Sequence, residues 1–361
     1  MVMRPNTLRL RSPADVVAAI PYLVGFHPID SVVVLCCGGM DGTYAIRLDL
    51  TASDALLDHV TDLITRRRPD DVILAGYGPG ARVTPVVERV GDRLTRDGVR
   101  LREVMRVEDD RYWSYLCTDP ACCPPEGTFV DVRGSVVAAA AIAGGLVALP
   151  DRDELARMIA PIGGEAMRQA TLQAEHRLAS WAEAAASETA RGTESDDECA
   201  GSGVAAPVGS AGASVARGGM SRRVAEEGVR LVRLLIERAR AGGAPPTDDE
   251  VAWLGLLLVN LRVRDEAWVR IDDGEIGAHI GLWRDVVRRV AEPYVAGPAS
   301  LLAFAAWRAG EGALANLALD RALAADPHYS MARLLHELFV SGLPPWSVPL
   351  DITPEQLDEA S

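Results

Sequence analysis

"DVILAGYGPGARVTPVVERVGDRLTRDGVRLREVMRV", residues 71 to 107, changes periodicity twice. The run 71–77 is short, apolar and closed by a glycine-rich turn, which predicts a buried strand. The segment 84–98 predicts a helix that stops at Gly98, a residue free to take the left-handed conformation of a helix end. The segment 99–107 alternates and predicts a second strand. Strand, helix and strand in this order require a sheet with helices packed on it. The turn "AGYGPG" (75–80) could cradle phosphate on backbone amides. It departs from GxGxxG, Pro79 removes a donor and no lysine follows, so a plain turn is the better reading.

The same logic extends towards the start of the chain. "SPADVVAAIPYLVG" (12–25) carries a serine cap, proline at the first helical position and a closing glycine. "SVVVLCC" (31–37) is a buried strand, and "TYAIRLDL" (43–50) pairs with it through "GGMDG" as a hairpin. Tyr44, Ile46, Leu48 and Leu50 share one face of that hairpin and Arg47 and Asp49 the other. "SDALLDHVTDLITRRR" (53–68) is an amphipathic helix. The order helix, strand, strand, helix, strand, helix, strand predicts an α/β domain over residues 1–150 with a layered, mostly parallel sheet and flanking helices. A Cys-rich loop (113–127) and a small-residue helix (134–145), expected to be buried by the sheet, complete it.

From residue 151 the pattern is all-helical. A helical connection over 151–189 carries the stripe Met167, Ala170, Ala174, Leu178 and Trp181. Residues 190–220 are rich in Gly, Ser, Ala and acids without periodicity, which predicts a disordered linker or insertion containing Cys199. A helical domain follows over 221–345, then a loosely held tail over 346–361. Within 300–342, Gly310, Ala315, Ala322 and Pro327 stand where a tetratricopeptide helix pair places its small residues and closing proline. A solenoid needs about three such units and one is visible, so the reading is a single hairpin inside a helical domain.

Composition bounds the function. All 37 basic residues of the 361-residue chain are arginine, which excludes lysine-dependent phosphate loops and Schiff-base chemistry. The formal net charge of −14 argues against nonspecific binding to nucleic acid or to anionic membranes. No run of eighteen apolar residues and no signal peptide at the start are seen. With six cysteines, that predicts a cytoplasmic protein whose thiols are free, catalytic or metal-bound.

"PADVVAAIPYLVGFHPIDSVVV", "RLDL", "YWSYLCTDPACCPPEG" and "AAWRAGEGALANLALDRALAADPHYSMARLL" together resemble the signatures of the domain of unknown function 4192 family. The resemblance spans nearly the whole chain in order, apart from 190–220. It implies a fold and a lineage, and it carries over no activity and no catalytic residue.

Three groups of residues are candidates for chemistry. Cys117, Cys122 and Cys123 could hold zinc with a fourth ligand from Cys36, Cys37 or His27, or form a redox pair. Against this, the C-x4-C-C spacing is unusual for a tetrahedral site, and small thiols packed in a proline-stiffened loop account for it more simply. His27, Asp30 and Ser31 are the catalytic candidates, His27 foremost for its titration range. Their closeness in sequence favours a turn over a triad. Arg47, Asp49, Trp113, Tyr115 and Glu126 are the ligand-binding candidates. Arg47 offers an anion fork and the aromatics a stacking surface, or they are an ordinary lateral ion pair and core anchors.

These readings predict a non-enzymatic binding or scaffold protein that engages a protein partner through its helical domain. The second possibility is an α/β domain that binds a small anionic ligand, or acts as a hydrolase-like enzyme, at its strand ends. That possibility requires His27, Arg47, Asp49 and Tyr115 to line one concave surface. The sequence does not identify a cofactor.

Overall fold

The computed structural model describes residues 10–39, 42–195, 209–348 and 353–359. The chain divides into two compact units, Met1–Ala156 and Arg157–Ser361.

The first unit begins with α1 (Pro13–Val24), opened by a capping box between Ser12 and Asp15 and closed by Gly25 in the left-handed conformation. The strands are β1 (Ser31–Cys37), β2 (Tyr44–Asp49), β3 (Asp71–Tyr77), β4 (Leu101–Glu108), β5 (Arg111–Ser114) and β6 (Thr128–Phe129). Between them lie α2 (Asp54–Arg67) and α3 (Gly80–Arg96), and α4 (Val136–Ala143) follows. One mixed sheet results, in the order β2-β1-β3-β4-β5-β6.

The mostly parallel sheet expected from the sequence is not what forms: β3 and β4 are the one parallel pair, and the other four pairings are antiparallel. The reason lies in the order of insertion. The crossover through α2 makes β3 run parallel to β2, as a strand–helix–strand connection does. The hairpin partner β1 lies between them, so each of its neighbours runs against it. The β4–β5 hairpin adds a further antiparallel pair through a turn at Asp109, whose φ is 52°. Thus "RYWS" belongs to the sheet and not to the cysteine loop.

Alternation on the strands sorts the core into two layers. Val32, Val34, Leu74 and Val104 face α2 and α3, meeting Leu57, Val60, Ile64, Val83, Val87 and Leu94. Val33, Leu35, Ala75, Met105 and Val107 face the other way, against Val16, Val17 and Ile20 of α1. Gly76 permits the close seat of α3, since a Cβ there would lie 2.2 Å from Val83 Cγ1. The helix α4 is not buried by the sheet: it rests on Ala18 and Ala19 of α1 through Val137, while Val136 and Ile142 are exposed. Eight residues give it one narrow apolar contact, and α1 occupies the sheet face.

After α5 (Arg152–Arg157), the second unit contains α6 (Glu165–Ser195), α7 (Gly209–Arg240), α8 (Asp248–Leu257), α9 (Leu261–Val269), α10 (Ile276–Arg289), α11 (Ala296–Arg308), α12 (Gly312–Ala325), α13 (Ser330–Ser341) and α14 (Pro354–Glu359). Met167, Ala170 and Ala174 of the predicted stripe are buried where α6 packs on α7 and α8. Helix continues to Ser195 and resumes at Gly209. The middle of the expected insertion, with Cys199, lies outside the described residues. The helix α11 is buried along twelve of its thirteen residues and packs on α10, α12 and α13. Among the described residues no helix is long and apolar enough to cross a membrane.

Candidate functional site

The first unit has a cleft of about 810 Å³ at the carboxyl ends of β3 and β4, the place where open α/β sheets bind ligands. Tyr77 and Gly78 leave β3 into it, Val107 and Glu108 leave β4, and His27 to Asp30 enter it from the α1–β1 turn. Asp109, Asp110, Phe129, Asp131 and Arg133 close the rim. Five carboxylates therefore face two basic side chains.

Two of those carboxylates are committed. Asp30, held in the left-handed region at φ 46°, pairs with Arg82 at 2.7 Å. Glu108 pairs with Arg106 at 2.9 Å. Asp131 accepts the Gly134 N–H at 2.8 Å, which leaves its second oxygen to the rim. Asp109, Asp110 and Asp131 thus make the mouth negative against the single guanidinium of Arg133. The His27 ring is held below its ordinary titration range, first by burial and then by Arg133. It is a neutral imidazole near pH 7, able to donate or accept.

Two buried hydroxyls lie at and behind the cleft. Asp49, Ser31, Tyr77, Val107, Tyr112 and Thr128 form one row across the six strands, each paired with the next. Ser31 is fully buried and Tyr77 nearly so. Neither hydroxyl has a hydrogen-bond partner among the described residues. Burial pushes the Tyr77 phenol up, so it stays a neutral donor. An unpaired buried hydroxyl costs about 1–3 kcal/mol and asks for a partner that the described residues do not supply.

The predicted residues fall into separate places. His27 and Asp30 line the cleft, and Ser31 lies beside Tyr77 behind it. They form no relay, because the Ser31 hydroxyl has no partner among the described residues and the Asp30 carboxylate pairs with Arg82. Arg47 bonds Asp49 at 2.7 Å through Nη2 and lies over the Phe26 ring, while its Nε is buried without a partner among the described residues. Trp113 faces away from α1; Arg106 stacks on it at 3.7 Å, and Gly127 lies so close that a Cβ would meet the ring at 2.5 Å. The Trp113 ring N–H donates to the Pro125 carbonyl. Tyr115 bonds Thr84 of α3 at 2.6 Å, on the sheet face opposite the cleft floor. Glu126 is exposed, and its backbone carbonyl accepts from Arg111 at 3.5 Å. His27, Arg47, Asp49 and Tyr115 therefore do not line one surface. Tyr77, Glu108, Asp131 and Arg133 were not singled out in the sequence; for Tyr77 the available signal was its place at a strand end before a glycine turn.

The sulfurs of Cys117, Cys122 and Cys123 converge to within 4.8 Å of one another. Neither Cys36, Cys37 nor His27 joins them. Cys36 is in the core, its thiol pushed up to about 11 by burial. The thiol of Cys117 is lowered by the Asp119 backbone N–H and then by Cys123. That of Cys123 is pushed up to about 12, first by its bond to Cys117.

The family described as "Domain of unknown function (DUF4192)" matches residues 13–346. No curated protein and no solved structure matches the chain.

Proposed function

The chain belongs to the domain of unknown function (DUF4192) family, and we propose that its α/β unit is a binding module for a small, hydrogen-bonding molecule that carries positive charge. The observation that carries this reading is the buried Tyr77 hydroxyl, which has no partner among the described residues and belongs to a residue that lines the cleft. A bound molecule that hydrogen-bonds to it, as donor or as acceptor, removes the desolvation penalty only when bound, which is a source of affinity. The acidic rim sets the sign of the charge. It favours a cation over the anionic ligand expected from the sequence, and Arg47, paired with Asp49, is not among the residues that line the cleft. A neutral His27 supplies a second polar contact. The free thiols among the described cysteines support placing the protein in a reducing compartment.

In the second unit we read α11 and α12 as a tetratricopeptide-like hairpin. Ala315 and Ala322 are fully buried. Gly310 ends α11 at φ 79°, with Glu311 N–H bonded to Ala306 and Gly310 N–H to Trp307, a Schellman closure. Because α11 is enclosed, the hairpin builds the unit, and a protein partner would use another surface.

Calorimetry of the intact protein against small amines, guanidines, carboxylates and phosphates tests the binding reading. Cationic members of the panel should bind, and Asp109→Asn with Asp110→Asn should weaken them roughly fivefold, as loss of rim charges does. Preferential binding of the anions would overturn it.

A further inference from the structure

The cysteine loop lies apart from the residues that line the cleft. None of its three thiols lines that cleft, and packing does not account for them, since Cys122 is exposed and Cys117 and Cys123 are half-buried. The loop is shaped by bonds that do not involve sulfur. The Ser114 hydroxyl accepts the Leu116 and Cys117 N–H groups and donates to Glu103. The Asp119 carbonyl accepts both the Cys122 and Cys123 N–H groups, at 3.1 and 2.7 Å. The Asp119 carboxylate takes the Ala121 N–H, and Trp113 fastens the far side at Pro125. The backbone thus returns on itself and delivers adjacent cysteines to a third without any disulfide.

We propose that Cys117, Cys122 and Cys123 form a three-thiolate site for a soft, closed-shell metal ion of the zinc, cadmium and copper(I) class. Three thiolates around one ion at about 2.3 Å stand about 4 Å apart, so the observed cluster needs only a small contraction. Sulfur donors select thiophilic ions over magnesium, calcium or manganese. No fourth cysteine, histidine or carboxylate joins the cluster among the described residues. The site is therefore unlike the closed four-ligand structural kind, and an incoming ion keeps a position open to solvent or to an exchanging donor. Binding an ion displaces the thiol protons, so affinity rises with pH.

The test uses the full-length protein, reduced and kept anaerobic, titrated separately with cadmium and with copper(I), then competed with zinc. Thiolate-to-metal charge-transfer absorption should grow to one ion per chain. Cys117→Ser, Cys122→Ser and Cys123→Ser should each weaken binding at least about tenfold, as loss of a ligand must when loss of an outer-shell partner already costs that much. Cys37→Ser, outside the cluster, should leave it unchanged. Saturation by copper(I) alone would identify a two- or three-coordinate site, and saturation by all three ions one that completes a tetrahedron with solvent. Absence of the band, or its survival in the three serine variants, overturns the proposal. So does a chain two hydrogens lighter after equilibration near about −250 mV, with Cys117 joined to Cys122 or Cys123, because a resting disulfide leaves no ligands.

Discussion

Glu266 and Tyr77 are both buried polar residues, one in each unit, and they are treated in opposite ways. Glu266 of α9 has no exposed surface, yet it bonds Arg233 at 2.6 Å, Arg262 at 2.8 Å and Arg270 besides. Burial alone would raise its carboxyl, but the three guanidinium groups outweigh burial and hold it at about 2. Tyr77 has no partner at all among the described residues, and a cleft lies beside it. A buried charge satisfied three times over serves the fold. A buried hydroxyl left open next to a cavity is a cost that the fold bears for something it lacks. The comparison separates structural polarity from functional polarity without any appeal to residue type.

Breaking the satisfied cluster should have the largest effect. Glu266→Ala leaves three arginines around an empty position and should cost about 3–5 kcal/mol of the second unit's stability, the usual loss when one member of a buried ion cluster is removed. Urea unfolding of the full chain, followed by tryptophan fluorescence, reads it. The four tryptophans Trp253, Trp268, Trp283 and Trp307 of α8 to α11 report on that unit.

His279 of α10 sharpens the comparison, because it is a buried group of the second unit that is also unpartnered at both ring nitrogens among the described residues. Burial, and then Arg240, lower its titration to about 4, against a small opposing pull from Asp272. Above pH 6.5 the ring is neutral in both folded and unfolded chains. As the pH falls below 6.5 the unfolded chain gains a proton that the folded chain refuses, so stability drops until the folded ring titrates near 4. The loss over that window is on the order of 3 kcal/mol. His279→Leu should remove that slope while leaving stability at pH 7 equal or higher. An unchanged slope would mean that other groups supply it.

Sequence patterning reached the elements and stopped short of their arrangement. "SVVVLCC" and "TYAIRLDL" announced a hairpin because β-branched runs flank a glycine turn, and β1 and β2 pair as that reading requires. The four residues of β5 and two of β6 are too short for a period to show, and the turn that makes β5 is acidic, without the usual glycine. Neighbour relations in the sheet depend on where β1 is inserted, which periodicity does not encode. Of the cleft, His27 and Asp30 were legible as polar residues at a helix-to-strand turn. Tyr77 read as the last residue of a strand, and its missing partner is a fact of three dimensions. Glu266 sits four residues from both Arg262 and Arg270, a spacing visible in one helix, while Arg233 arrives from another helix and is not.

The smallest expected effect gives the sharpest test. Tyr77→Phe keeps the ring and removes only the hydroxyl. If that hydroxyl waits for a ligand, the first unit should unfold in urea with its stability unchanged or raised by up to about 1 kcal/mol, since an unsatisfied group has been taken away. A loss of about 1–2 kcal/mol would show that the hydroxyl already has a partner in the folded chain, and the cleft would lose the feature that makes it a binding site.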